Sequence, residues 1–175
     1  MKKASKHTKY IGIDESNHGR FPEVFVAVIS SYECDALNTQ CWKKLRKNIK
    51  RFPHGKYRDY TFLLAGKGDE DRIGKQKFIG KVIGSLIIED IDPVKTNNLE
   101  IYLDGDHWTK SQEIYVRDYL SEIIEISKRN IKLNTGSALD EKLYLVHLAD
   151  QRASTIKRWS LDKASKSKRQ RELLE

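Results

Sequence analysis

The chain has 175 residues, 33 Lys and Arg against 25 Asp and Glu, and a net charge of +8. That length suits one domain with a real core, and the 38% apolar share falls in periodic blocks, which favours a folded chain over a disordered one, the basic tail excepted. Two cysteines, Cys34 and Cys41, without CxxC or HxxH spacing exclude a disulfide framework and a structural zinc site, and no stretch reaches the ~18 apolar residues of a membrane span.

The basic opening MKKASKHTKY leads into no apolar signal core, so a cytoplasmic protein is expected. KYIGID reads as a first strand. After the turn-like ESNHGRFPE, VFVAVISS is apolar on both faces and reads as a central strand, antiparallel to the first. Leu37, Cys41, Trp42, Leu45 and Ile49 have helical spacing and predict an excursion helix over about 36–51, whose Lys, Arg and Trp42 suit either a nucleic-acid platform or a solvated basic face.

RDYTFLLA is a third strand, followed by an amphipathic helix over 68–90 with internal glycines. NLEIYLDGD is a fourth strand, TKSQEIYVRDYLSEIIEISKRN a helix, and IKLNTG a fifth strand. A last helix is expected from about Leu139 to Trp159, and the basic run over 161–175 reads as a tail to a domain spanning 1–160. The order β-β-(α)-β-α-β-α-β-α predicts an α/β fold with a mixed five-stranded sheet and helices on both faces.

Strand alternation groups Tyr10, Gly12 and Asp14 on one face, and Glu100, Tyr102 and Asp104 on one face. Both strands finish on an aspartate. If they are parallel neighbours, Asp14 and Asp104 emerge together at C-terminal strand ends, where open α/β sheets keep their sites. In the last helix, Leu139, Leu143, Val146, Ala149 and Ala153 mark a buried stripe, and Asp150 falls inside it.

Should Asp14, Glu15, Asp104 and Asp150 converge, carboxylates ~5 Å apart at an effective dielectric near 20 repel by roughly 3 kcal/mol per pair, so the cluster calls for cations. Oxygen ligands favour Mg²⁺ or Mn²⁺, and two such ions ~4 Å apart suit phosphodiester hydrolysis. Taken singly, each acid has a plainer reading. Asp14 and Glu15 suit a turn or cap, Asp104 an Asp-Gly turn, and Asp150 a helix aspartate bonded to a loop N–H or an Arg.

IGIDES at 11–16 resembles the IGIDEAGRG opening of type 2 ribonucleases H, and IYLDGD at 101–106 resembles that family's strand ending in Asp-Gly. LVHLADQRAS is similar to a motif of an uncharacterised family of the same ribonuclease H-like superfamily, whose members carry IDES and a late-helix LAD. The resemblance implies a ribonuclease H-like fold, with three antiparallel strands followed by parallel ones. It implies a two-metal nuclease using Mg²⁺ or Mn²⁺ on RNA or an RNA–DNA hybrid. Asp14 would bridge the ions, Asp104 and Asp150 would be further ligands, and Glu15 a ligand or water positioner. Asp106 rivals Asp104, and His147 suits either a proton shuttle or an ordinary core-edge position.

Where type 2 enzymes have Gly-Arg-Gly after the acidic pair, this chain has Ser16, Asn17, His18, Gly19 and Arg20, so junction-specific cleavage is not implied. His18, Arg20, Lys157 and Arg158 are the expected phosphate contacts. The alternative is a non-catalytic nucleic-acid or protein-binding module on the same fold. No GxxxxGK[ST] phosphate loop is present, which argues against P-loop nucleotide hydrolysis.

Overall fold

Each of the five expected strands forms in a computed structural model, which describes residues 7–16, 22–31, 60–105 and 109–174. The expected excursion helix over 36–51, with Cys34, Cys41 and Trp42, lies outside the described residues, as do His18, Arg20 and Asp106. β1 (His7–Ser16), β2 (Glu23–Ser30) and β3 (Tyr60–Ala65) form an antiparallel meander. β4 (Thr96–Asp104) then lies parallel to β1, and β5 (Ile131–Gly136) parallel to β4.

Both faces of the sheet are covered, which is why β2 is apolar on both sides of its pleat. Ile11, Ile13, Phe25, Leu63 and Ile101 pack under α2 (Lys75–Ile87) and α3 (Lys110–Ile124). Tyr10, Val26, Phe62 and Tyr102 pack under α5 (Tyr144–Ile156). Thr109 starts α3 with a capping box, its Oγ1 accepting from the Gln112 N–H at 3.2 Å while the Gln112 Oε1 accepts from the Thr109 N–H at 2.9 Å. Val116, Leu120 and Ile124 then recur every four residues on the buried side.

Two expected helices are divided. The helix expected over 68–90 is α1 (Lys67–Ile73) and α2, separated by Gly74 at φ +88°, a conformation open to glycine. The last helix is α4 (Leu139–Lys142) and α5, separated at Leu143, whose backbone is extended at φ −119°, ψ 127°. Beyond this break α5 packs on β1, with the Leu145 backbone against Gly12. No helix among the described residues is long and apolar enough to cross a membrane.

The segment expected as a basic tail is instead part of the fold. It forms α6 (Leu161–Ser165) and a two-residue β6 (Gln170–Arg171), parallel to β3, so the sheet has six strands in the order β5-β4-β1-β2-β3-β6. Its basic composition hid specific uses for its arginines. Arg171 pairs with Glu89 at 3.3 Å and Asp90 at 3.1 Å, and Arg169 donates from Nη1 to the Tyr60 carbonyl at 2.9 Å. Ending the chain at residue 166 uncovers the β3 edge, and an uncovered apolar strand edge pairs with other chains. Size-exclusion chromatography is expected to show self-association of that truncated form at concentrations where the full chain gives a single smaller species.

Candidate acidic site

Parallel pairing of β1 with β4 runs in register through Gly12 opposite Tyr102 and Ile13 opposite Leu103, so each strand's next residue is an aspartate. Asp14 and Asp104 therefore leave neighbouring strand ends on the face covered by α5, where Tyr10 and Tyr102 are also buried. Glu15 follows the opposite alternation, opposite Phe25, and borders the α2 side.

Asp14 is 5% exposed. Its Oδ1 accepts the Glu15 N–H at 2.8 Å. Burial is the main force pushing its pKa up, to about 8. The Glu15 charge adds to the rise, the Glu15 N–H opposes it, and the charges of Asp104 and Asp150 raise it further. Four acids from β1, β4 and α5 thus share one electrostatic neighbourhood.

Asp104 is held at the start of α4. Its Oδ1 accepts the Leu139 N–H at 2.8 Å, satisfying a donor that the helix itself leaves open. The bond separates two substitutions. Asp104→Asn keeps an oxygen acceptor, whereas Asp104→Ala leaves the N–H without it, so urea unfolding is expected to find the Ala variant about 1 kcal/mol less stable than the Asn variant.

Asp150 reaches the site because α5 lies directly on the β1 backbone. A Cβ on Gly12 would stand 2.5 Å from the Leu145 carbonyl carbon and 2.6 Å from its Cβ. Only glycine permits that approach. Sequence reading passed over Gly12 as a site determinant, although a lone glycine inside an apolar strand is the signal for close backbone contact. The Leu139 N–H went unnoticed as well, because a backbone donor has no residue signature.

His147 lies one turn before Asp150 and is half-buried, and Lys157 and Arg158 are exposed just past α5. The donor set is all carboxylate oxygen, the chemistry of Mg²⁺ or Mn²⁺. A carboxylate whose pKa is raised first by burial and then by three like charges fits a cation. Even so, no group of three or more His, Cys, Asp or Glu among the described residues is gathered closely enough to hold an ion.

A mixed sheet of three antiparallel and then parallel strands, with helices on both faces, is a ribonuclease H-like fold. The chain is similar in structure to RNase HII from Archaeoglobus fulgidus, solved in a complex with PCNA, with a TM-score of 0.53 and 19% identity over 88% of this chain and 75% of that one. It is also similar to Bst-RNase HIII in complex with Mn²⁺, with a TM-score of 0.51 and 15% identity over 91% of this chain. This chain spans 55% of that protein's length. No family model matches the sequence, and no characterised protein matches it at the sequence level.

Proposed function

We propose that the chain is a metal-dependent nuclease of ribonuclease H-like type, hydrolysing phosphodiester bonds in RNA or an RNA–DNA hybrid. The observation that carries this reading is Asp14, a buried carboxylate pushed to about 8 with charges from β1, β4 and α5 around it. Such an arrangement is unfavourable for folding and is explained by a cation as its partner. Asp14, Asp104 and Asp150 would hold Mg²⁺ or Mn²⁺, with Glu15 at the rim. When bound, such ions supply a Lewis acid for the phosphodiester and a water that is nucleophilic at neutral pH.

The chain's own residues do the rest. Asp14, whose carboxyl burial holds in favour of the proton, would be a ligand only in its ionised form. The Leu139 N–H keeps the Asp104 carboxylate from turning away, and Gly12 sets how closely α5 brings Asp150. Lys157 and Arg158 would hold phosphates of the strand, as would His18 and Arg20. No side-chain nucleophile is needed.

The test is cleavage of labelled single strands, duplexes and hybrids in Mg²⁺ or Mn²⁺, beside Asp14→Asn. Cleavage by the parent and not by the variant supports the reading; equal cleavage by both refutes it. The openness of the acids among the described residues favours one rival, a binding module that holds nucleic acid or a protein without cutting. Binding without cleavage in either ion would select it.

A further inference from the structure

A cavity of about 210 Å³ opens beside the C-terminal end of α5. Val24 and Leu64 from β2 and β3 form its floor, Trp159 and Leu161 its walls, and Lys157 also lines it. That volume is below the roughly 300–1,000 Å³ of pockets for drug-sized ligands and suits one ring system.

Three observations indicate what enters it. Val24 stands opposite Ser16 in the β1–β2 register, so the floor adjoins the strand end that carries Asp14. Lys157 is seven residues after Asp150, which at 100° and 1.5 Å per residue puts it about 20° from Asp150 around the α5 axis and roughly 10 Å along it. Two or three nucleotides cover that distance. Finally, the mouth is cationic: Lys157 is exposed, and the Lys163 Nζ stands 4.6 Å from the centre of the Trp159 ring. Asp162, the nearby acid, is engaged by Lys166 at 2.9 Å. An edge-on contact with Phe62, centroids 5.8 Å apart, fixes the Trp159 ring.

We propose that this pocket receives one unpaired base of a nucleic-acid strand whose backbone passes Lys157 on its way to the acids. The inference rests on the nuclease reading and sharpens its substrate to strands with an unpaired base close to the cleaved bond. Apolar walls and an aromatic ring take the base without reading its identity, and the lysines neutralise the flanking phosphates.

Fluorescence anisotropy without divalent ions tests it, using labelled eight-nucleotide RNA and DNA single strands and matching strands that lack bases. Trp159→Ala is expected to bind the base-bearing strands about tenfold more weakly and the abasic strands unchanged. Leu161→Asn, at a side chain 71% exposed and therefore safe for folding, removes apolar wall without adding charge and is expected to weaken base-bearing strands in the same way. Wild-type affinity of both variants for base-bearing strands overturns the pocket. Cleavage by the parent protein alongside that result leaves the nuclease reading standing. Base-dependent binding by a protein that never cleaves keeps the pocket and removes the nuclease.

Discussion

Asp14→Asn is expected to raise the melting temperature of the metal-free protein by roughly 5–10 °C at pH 8.5 and, on the proposed function, to leave no divalent-ion-dependent cleavage. The two effects have one origin. In the folded chain burial, followed by the neighbouring acids, lifts the Asp14 pKa from 3.8 to about 8. Between those values the native state keeps a proton that the unfolded chain has lost. Stability from this group is therefore complete below about pH 4, declines as pH rises, and is gone above about pH 8. Asparagine resembles the protonated acid at every pH, so the variant loses the slope.

A shift of this size, reduced by relaxation around a charge near the sheet's end, leaves roughly 2–3 kcal/mol. At 2–4 °C per kcal/mol for a domain of this size, that gives the stated rise in melting temperature. Melting curves from pH 4 to 9 check it. Parent and variant should coincide near pH 4 and separate progressively above it. A variant less stable than the parent at pH 8.5 would show that the Asp14 charge is welcome in the metal-free fold.

Gly12→Ala is the second large effect, expected to remove about 3 kcal/mol of stability and most of any cleavage that the proposed function predicts. The added methyl meets the Leu145 carbonyl carbon, Cβ and carbonyl oxygen at 2.5–2.7 Å. Backbone atoms cannot rotate aside, so α5 must lift from β1, at the upper end of the 1–3 kcal/mol typical of overpacking. Asp150 rides on α5. A displacement near 1 Å at a reacting site lowers rates by roughly a hundredfold. Gly68→Ala, where nothing lies within 4 Å of the added Cβ, is the control and should melt near the parent temperature. Equal melting of the Gly12 and Gly68 variants would contradict the close approach.

Much of this arrangement was legible in the chain because it depends on local periods. Alternation in KYIGID and NLEIYLDGD put Asp14 on the face of Tyr10 and Gly12 and Asp104 on the face of Tyr102, which α5 covers, and helical spacing brought Asp150 into the buried stripe. The parallel pairing of β1 and β4 was a conjecture from topology that the register supports. Other features depend on long-range contact and leave no period. Leu143 has an ordinary sequence context yet is extended, and the basic segment after 160 gained a strand through its partner β3. Gly12 looked like any strand glycine until the Leu145 backbone came down on it.

Metal titration by calorimetry at pH 7, repeated in two buffers of different ionisation enthalpy, measures how many protons leave as an ion binds. The acidic-site account predicts Mn²⁺ or Mg²⁺ binding that releases close to one proton from Asp14, and loss of that release in Asp14→Asn. Absence of binding at tens of millimolar ion, or proton release unchanged by the substitution, would contradict it.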